Sequence, residues 1–506
     1  MSTPSPEQPA PRAPRRVSRR HFLRIAAAGF GAMAVGQPVA HLARTRLLDR
    51  DERVALPPQY VDDASRLNQT HVAEIWDMPG AAADAEAQLA ALLEHARARR
   101  LPVAIAGARH TMGGHTIAPD GIALAMLPFN RYEVAPAAGR LWVQAGARWA
   151  DILPAVDAHG LSIGVMQSNN SFTVGGAVNA NAHGWQHNHP PLASTVESCR
   201  VMLADGRIVR CGRTEHGELF GLVMGGYGLF GIILDLTLRL VPNARYRFAS
   251  WIVPSQEYAP AYDRYVNQAP GAGMVFGRLS VAPASFLREA SLNVFYHDDG
   301  PLPALDSSRH SGLMRSVFRG SVGDAYGKQL RWDAEKAAAD INQGKIVSRN
   351  YLLNEPVSTF ENRTAASTDI LHEYFVPLPQ LEAFLEQLRR IIPAHDGDLL
   401  NGTLRTVARD PDSFLRYADQ DLVGLVLLFN QPRTPAADQA MRRMTEALID
   451  AALLLGGRYY LPYRLHARAE QLQQAYPQAP EFFARKRRYD PEERFQNRFY
   501  QTYGTA

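Results

Sequence analysis

Two glycine-bearing stretches of the chain combine backbone freedom with polar side chains. Residues 103–116 read VAIAGARHTMGGHT, and residues 171–184 read SFTVGGAVNANAHG. Glycine lets a ligand approach the main chain closely, because it has no Cβ and accepts positive φ. Exposed amides in such turns bind anions, a pyrophosphate among them. Two such loops, with His110 inside the first, indicate a large nucleotide cofactor.

The segment HGWQHNH at 183–189, which overlaps the end of the second loop, carries three imidazoles. Imidazole is a ligand for zinc or copper, so this spacing is compatible with a metal site. However, no cysteine or carboxylate is close in sequence, and glycine and proline flank the segment. We therefore predict no metal site.

The elements that position these loops form a mixed pattern of strands and helices. Strands are predicted at 101–106, 121–127, 140–145 and 231–240, with a hairpin at 198–211. A helix is expected over 149–159, and a domain boundary at 241–243. From 244 to about 370 we predict strands mixed with irregular polar stretches.

The next part of the chain has a clearer order of strands and helices. Strands are predicted at 372–376, 399–407 and 422–430, with helices over the apolar stripe 381–391 and from Thr434 to Leu455. This order predicts an antiparallel sheet with its helices on one face. With 506 residues, two or more domains are expected.

Two cysteines, Cys199 and Cys211, flank Asp205-Gly206. That dipeptide predicts a two-residue hairpin turn. With such a turn Cys199 would pair with Gly212, and the two sulfurs would lie on opposite faces, because side chains alternate along a strand. We therefore expect buried thiols without a disulfide.

The basic charge of the chain is concentrated at its beginning. The first forty residues hold six arginines and one acid, whereas the remainder has 48 basic and 49 acidic residues, so a nucleic-acid partner is not supported.

Residues 18–24 (SRRHFLR), followed by the apolar run 25–35, resemble a twin-arginine export signal; the alternative is a basic tail. We expect a leader over 1–43, the twin-arginine machinery as a partner, and a periplasmic or otherwise exported protein. A retained leader would anchor it to the membrane.

Four motifs resemble the FAD-binding (PCMH-type) domain of the vanillyl-alcohol oxidase and p-cresol methylhydroxylase family, over residues 60–242 and the C-terminal tail. Residues 107–111 (GARHT) are similar to its first pyrophosphate loop, usually Gly-x-Gly-His-Ser, and 173–184 to its second flavin loop. Residues 225–233 (GGYGLFGII) resemble the turn before the adenine-side strand. Residues 488–495 (RYDPEERF) resemble the terminal segment, which in the family returns to the flavin domain.

The resemblance implies FAD as the cofactor. In many members the histidine at the position of His110 is bonded to the flavin, so His110 is the predicted 8α-histidyl attachment site and His115 the fallback. Some members bind FAD noncovalently, which leaves a phosphate-bonding loop histidine as the alternative. The predicted FAD contacts are Gly107, Ala108, Arg109, His110, Thr111, Gly113, Gly114, Thr173, Gly175, Gly176, Ala177, His183, Gly184, Gly228, Ile232 and Ile233.

Some members add a cysteinyl bond from a segment that in this chain reads SFTVG at 171–175. Ser171 stands in the place of that cysteine, so no second bond is predicted. The same resemblance places the loop 183–189 near the flavin, with His183 or Trp185 lining the cavity.

On the substrate side, 372–377 (HEYFVP) and 400–405 (LNGTLR) resemble strands of the sugar-alcohol and aldonolactone oxidase branch, which carries a Glu-x-Arg pair near the flavin. Arg405 keeps the arginine, but Thr403 occupies the glutamate position and cannot act as a base. Arg405 is the candidate to stabilise negative charge on reduced flavin or on a substrate alkoxide or carboxylate, and the alternative is a surface arginine on an exposed strand face. Glu373 is the candidate for a base or an orienting group, and the alternative is a solvated acid on an edge strand.

Residues 457–464 align with a strand that brings a lysine to the active site of some relatives, and this chain has no lysine there. Tyr460 and Tyr463 are the predicted substitutes, as hydrogen-bond donors or, with a lowered pKa, as proton acceptors. Tyrosines packed as core are the alternative.

The sequence thus predicts an α+β fold: a two-part PCMH-type FAD-binding domain (60–242), a substrate (cap) domain (243–455) with an antiparallel sheet covered by helices on one face, and a returning segment (456–506). The predicted function is oxidation of a CH–OH group of a small sugar-, polyol- or lactone-like substrate, with oxygen or another electron acceptor. The alternatives are a 2-hydroxy-acid dehydrogenase that passes electrons to a quinone, and a non-catalytic flavin-carrying envelope protein.

Overall fold

The computed structural model describes residues 36–80, 84–305 and 311–505. The predicted twin-arginine segment and its apolar run, residues 18–35, lie outside the described residues. Residues 36–48 are helical (α1) and belong to a contact unit that ends at Leu48. Within the described ranges no helix has the length and apolarity needed to span a membrane.

The chain from Asp49 onward forms one compact unit of mixed helices and sheets, in agreement with the α+β class. Its first half contains four helices: α2 (Ala85–Arg99), α3 (Trp149–Asp157), α4 (Val174–Asn179) and α5 (Gly217–Val223). Five strands form two small sheets: β1 (Tyr60–Val61), β2 (Thr70–His71), β3 (Glu74–Asp77), β4 (Val103–Ala106) and β5 (Ile122–Ala125). The last three are parallel, in the order β3-β5-β4, and β1 pairs with β2.

A six-stranded antiparallel sheet follows. Its strands are β6 (Tyr132–Ala135), β7 (Arg140–Gln144), β8 (Leu161–Ile163), β9 (Val196–Met202), β10 (Ile208–Gly212) and β11 (Ile232–Pro242). The order is β10-β9-β11-β7-β6, and β8 pairs with the end of β11. Strand β4 ends directly before Gly107, β7 directly before Ala145, and β11 begins directly after the glycine-rich turn. The three-stranded parallel sheet and the six-stranded sheet therefore place these three turns in one region.

The second half of the chain is built on an eight-stranded antiparallel sheet in the order β15-β12-β14-β13-β17-β18-β16-β19. Its strands are β12 (Arg245–Pro254), β13 (Ala272–Leu279), β14 (Glu289–His297), β15 (Ile346–Ser348), β16 (Ser367–Val376), β17 (Asp398–Val407), β18 (Leu422–Pro432) and β19 (Arg458–Tyr459). The helices are α6 (Tyr258–Tyr262), α7 (Ser311–Arg319), α8 (Ala325–Asn342), α9 (Arg349–Leu353), α10 (Leu381–Ala394), α11 (Pro435–Leu454), α12 (Ala469–Ala475), α13 (Ala479–Tyr489) and α14 (Arg498–Tyr503).

Local chemistry explains why α11 begins where it does. Thr434 caps it by accepting a hydrogen bond from the Ala437 amide at 3.2 Å, and Pro435 fills the first turn, where no amide donor is needed. The helix packs on β16, β18 and β19 beside α10. Tyr374 of β16 contacts Phe384 of α10, so its neighbour Glu373 points to the opposite face of the sheet.

The hairpin of β9 and β10 differs from the prediction. Its turn has three residues, 204–206, with Gly206 at φ 82°, and the Leu203 amide donates to the Arg207 carbonyl. The additional turn residue shifts the register by one, so Cys199 pairs with Cys211 instead of Gly212. The predicted opposite orientation of the thiols is therefore wrong. Both are free and buried, with their Sγ atoms 3.2 Å apart.

The end of the chain lies against the first glycine loop. The Val103 amide donates to the Arg494 carbonyl, and the Arg498 amide donates to the Gly114 carbonyl. A fully buried ion pair between Lys486 and Asp490 holds the turn that leads into this segment. Strand β11 ends at Pro242 where the sequence places the domain boundary, and the division into domains stays a prediction.

Candidate flavin and substrate site

The two glycine loops meet around a cavity. Gly107 lies so close to Thr173 that an added Cβ would come within 2.1 Å of the threonine Oγ1. The same Oγ1 accepts a hydrogen bond from the Gly176 amide at 3.2 Å. The space between the loops, counted together with the solvent at its mouth, measures about 550 Å³. It is lined by Ile105, Gly107, Thr111, His115, Thr116, Met126, Ala145, Thr173, Gly175, Gly176, Asn179, Ala180, Tyr227, Gly228 and Ile233.

Two asparagines connect the turns that surround this cavity. The Asn179 amide nitrogen donates to the Gly175 carbonyl at 2.9 Å, and its Oδ1 accepts from the Gly228 amide at 2.8 Å. Asn497, from the terminal segment, donates to the carbonyls of His115 and Tyr227 at 3.0 and 2.8 Å. Both loops and the glycine-rich turn are thus fixed by hydrogen bonds, and those of Asn497 are buried.

The lining fits a dinucleotide such as FAD. The hydroxyls of Thr111 and Thr116 are buried and have no hydrogen-bond partner among the described residues. Buried hydroxyls are normally satisfied, so they fit a polar ligand that occupies the cavity. Ile105, Met126 and Ile233 supply an apolar wall for flat rings, and the glycines leave the backbone open to phosphate oxygens.

Seven of the predicted FAD contacts line this cavity: Gly107, Thr111, Thr173, Gly175, Gly176, Gly228 and Ile233. The other predicted contacts do not line the cavity, and some of them pack against other parts of the backbone. An added Cβ at Gly113 would meet the Tyr463 carbonyl, and one at Gly184 the Met166 carbonyl, so these glycines allow close chain packing. Ile232 does not line the cavity, because its side chain alternates with that of Ile233 along β11. The remaining ones outside the lining are Ala108, Arg109, His110, Gly114, Ala177 and His183.

Sequence reasoning missed several lining residues. Ala145 directly follows β7, Asn179 is the last residue of α4, and Ala180 directly follows that helix. The ends of these elements could have located the three residues, but the comparison of motifs did not use element ends. His115 was the fallback for attachment. Burial lowers the pKa of His115 to about 3, so its ring is neutral at the cavity wall.

Arg109 occupies the second glycine position of the predicted pyrophosphate loop, and its φ is 55°. This left-handed conformation suits glycine and strains other residues. The side chain is half-buried, and burial lowers the pKa of its guanidinium. Its Nη1 donates to the carbonyl of Thr116 at 3.4 Å.

His110 lies beside the second loop. Its ring packs on Phe172 at a centroid distance of 4.3 Å, next to the Ser171 position where some relatives carry cysteine. Burial lowers the pKa of His110, so the imidazole is neutral and nucleophilic at neutral pH.

Glu373 is the centre of a buried polar cluster on the substrate side. Its Oε1 lies 2.6 Å from His183 Nε2, and its Oε2 accepts from the Tyr463 hydroxyl at 3.2 Å. The Tyr460 hydroxyl donates to the carbonyl of Ala180, a cavity-lining residue, at 2.7 Å. Strand β16 is paired on both sides, so Glu373 is no edge-strand acid. The cluster adjoins the cavity wall.

The tyrosines of this cluster are hydrogen-bond donors. Burial, reinforced by the Glu373 carboxylate, raises the pKa of both Tyr460 and Tyr463 well above 10. The lowered pKa that would let either tyrosine act as a base on its own is therefore not found, which favours the hydrogen-bonding role. Both follow the two-residue strand β19, and Tyr463 is partly exposed.

Arg405 projects from β17 toward the segment before the second loop. Its Nη2 donates to Ser168 Oγ at 3.1 Å, and its Nε is buried without a partner in the described structure. Thr403, two residues earlier, accepts a hydrogen bond from Arg278 at 2.8 Å. Arg278 belongs to the 244–370 stretch, from which the sequence analysis named no candidate site residue.

The histidines of 183–189 have separate partners. His183 faces Glu373, whereas His187 Nδ1 lies 2.9 Å from the Tyr262 hydroxyl. Nowhere in 36–80, 84–305 or 311–505 do three or more His, Cys, Asp or Glu side chains gather in a way that would hold a metal ion.

The sequence matches one family model and several curated proteins. Residues 81–212 match the family model described as an FAD binding domain. The chain is 33% identical over 218 residues to cytokinin dehydrogenase 2 of Oryza sativa subsp. japonica. That match covers 39% of this chain and 38% of the rice protein. The chain is 30% identical over 136 residues to L-gulonolactone oxidase of Mus musculus, covering 26% and 31%.

Another relative shows a similar extent of likeness. The uncharacterized oxidoreductase ORF5 in the fasciation locus of Rhodococcoides fascians is 31% identical over 149 residues, or 29% of this chain and 34% of that protein. The chain thus matches about a third of the length of these curated relatives. Cavity and match agree: this chain carries an FAD-binding domain of the kind found in FAD-dependent oxidoreductases, and its cofactor is FAD.

Proposed function

We propose that this protein oxidises a CH–OH group of a small sugar-, polyol- or lactone-like molecule. The observation that carries the proposal is the Glu373 cluster, which puts a carboxylate, an imidazole and two hydroxyl donors beside the wall of the FAD cavity. Alcohol oxidation requires removal of a hydride from carbon and a proton from oxygen. FAD, when bound, accepts the hydride.

The cluster supplies the proton acceptor. Tyr463 is partly exposed and donates to Glu373, so a substrate hydroxyl that bonds to Tyr463 has a continuous path to the carboxylate. Glu373 takes the proton and His183 holds the carboxylate in place, since His183 Nε2 lies against its other oxygen. Arg405 offers positive charge to the oxygen of the substrate as its proton leaves.

The electron acceptor and the cellular location belong to the same proposal. The acceptor is oxygen or a quinone, and peroxide formed on turnover in air would distinguish the oxidase from the dehydrogenase. We also propose that residues 1–43 direct the protein out of the cytoplasm, and that His110 bonds covalently to the flavin.

The test is anaerobic bleaching of the flavin in the purified holoprotein by a panel of alditols, aldonolactones and hydroxy acids. At least one of these should reduce the flavin within seconds. Glu373→Gln should slow that step by about 10²- to 10⁴-fold, the usual contribution of a general base. Glu386→Gln, at an exposed position of α10, should leave the rate unchanged. An oxidised spectrum with every compound would favour the non-catalytic alternative.

A further inference from the structure

Three arginines gather on the face of the large sheet that holds the Glu373 cluster. Arg278 of β13 and Arg331 of α8 both donate to Asn401 Oδ1, at 2.8 and 2.6 Å, so two guanidinium groups share one neutral oxygen. Arg278 also donates to Thr403 Oγ1. Arg331 has a carboxylate partner in Glu335 at 2.9 Å, whereas Arg278 lies 4.0 Å from the same group.

Arg405 extends this positive charge toward the flavin domain. It lies on β17 two residues beyond Thr403, and the structure describes no carboxylate within ion-pair distance of it. Glu373 is the nearby acid, but His183 and Tyr463 already occupy its two oxygens. Buried or half-buried charges are normally neutralised by a partner. Arg405 therefore has no ion-pair partner in the described structure, and Arg278 is only weakly compensated, by Glu335 at 4.0 Å.

The same wall has an accessible apolar part. The Trp185 ring stacks on Phe276 at 4.4 Å, and the Arg278 guanidinium lies 5.6 Å from the Phe276 ring centroid. The Arg278 side chain keeps 27% of its surface exposed, compared with 10% for Arg331. Of the two arginines that donate to Asn401, Arg278 is thus the one that a ligand can reach. A planar guanidinium with free donors binds a carboxylate in a bidentate way.

We propose that the substrate carries a carboxylate in addition to the hydroxyl that is oxidised, and that Arg278 binds this carboxylate while Arg405 holds positive charge between it and the reacting oxygen. The substrate class is then a hydroxylated carboxylic acid such as a sugar acid, rather than a neutral polyol or lactone. This inference rests on the proposed function. It adds Arg278 as the residue that determines specificity.

The experiment compares matched substrates on the holoprotein. A six-carbon aldonate should reduce the flavin at least 100-fold more efficiently than the alditol of the same length. Arg278→Met, which keeps length and removes charge, should raise the KM for the aldonate at least tenfold and change the KM for the alditol by a much smaller factor. Arg264→Met, at an exposed position of the same half of the chain, is the matched control. Equal efficiency for the two substrates would overturn the inference and leave the proposed function standing.

A binding measurement covers the cases in which the variant does not fold or no compound is oxidised. Malonate has two carboxylates and no hydroxyl, and malonamide is its neutral counterpart. Titration of the holoprotein with malonate should perturb the flavin spectrum in a saturable way, whereas malonamide should not. Equal responses, or none to malonate, would contradict the carboxylate site. Failure of every compound to bleach the flavin would instead overturn the proposed function.

Discussion

The covalent bond to the flavin that we propose would depend on one side chain, His110. Its ring is neutral because burial lowers its pKa, and it packs against Phe172 at the edge of the second loop. A neutral imidazole nitrogen is the nucleophile that such a bond requires. His115 lines the cavity but contacts Tyr227 and Phe499, in the core beneath the loops.

We therefore expect yellow colour to stay with acid-precipitated wild-type protein. His110→Ala should release the flavin into the supernatant, while His159→Ala, at an exposed position, should retain it in the pellet. The measurement is the absorbance of pellet and supernatant after precipitation. Flavin free in the wild-type supernatant would disprove covalent attachment without affecting FAD binding.

Tyr463 is the residue through which the substrate proton reaches Glu373 in our proposal. Tyr463→Phe removes only the hydroxyl, so the fold and the FAD spectrum should stay intact. The rate of flavin reduction should fall by about 10²-fold, at the low end for a proton-transfer group. Tyr60→Phe, in the exposed two-stranded sheet, is the control. An unchanged rate would exclude Tyr463 from the proton path.

At the scale of elements, the first glycine loop contains a strained residue. Arg109 adopts φ 55° where the resembled loop carries glycine. A left-handed conformation costs a residue with a Cβ about 1–2 kcal/mol, and glycine almost nothing. The strain persists because the loop is held at both sides, at Gly107 by Thr173 and at Gly114 by the Asp63 carboxylate.

The variants Arg109→Gly and Arg109→Ala isolate this backbone effect, because both remove the side chain and only alanine keeps the strain. The glycine variant should have the higher free energy of unfolding, by about 1 kcal/mol, in urea titrations of the holoprotein. An alanine variant of equal or greater stability would show that the loop relaxes without cost.

The sequence predicts elements better than the contacts between them. Strand periodicity located β4, β16, β17 and β18, and motif spacing located the two loops, because both signals are local. The register of β9 against β10 was missed, because it depends on a single additional turn residue. The pairing of Arg278 with Thr403 joins residues 125 positions apart, and no local pattern reports such a pairing.

For the whole molecule, buried histidines determine how stability responds to acid. Burial lowers the pKa of His115 and of His372 to about 3, from an ordinary value near 6.5. His372 accepts or donates a hydrogen bond at 3.0 Å with the Tyr374 hydroxyl in the core of the second half. In the unfolded chain both rings are free to take up protons.

The sign of the effect follows from proton counting. Between pH 6.5 and 3 the unfolded state binds a proton at each of these histidines and the native state does not, so stability falls as the pH falls. Each histidine contributes a slope of up to about 1.4 kcal/mol per pH unit within that window. Above pH 6.5 both states hold the rings neutral, and the contribution is constant.

His372→Gln tests this, because glutamine does not titrate and still offers a hydrogen-bonding group to Tyr374. The free energy of unfolding, measured in urea between pH 7 and 4.5, should fall less steeply for this variant, with the slope reduced by about one proton. His159→Gln, at an exposed position, should keep the wild-type slope. Carboxylates titrate equally in all three proteins, so they cancel in the difference. Parallel profiles for wild type and His372→Gln would mean that the native protein accommodates a charged His372, and that burial does not keep this ring neutral.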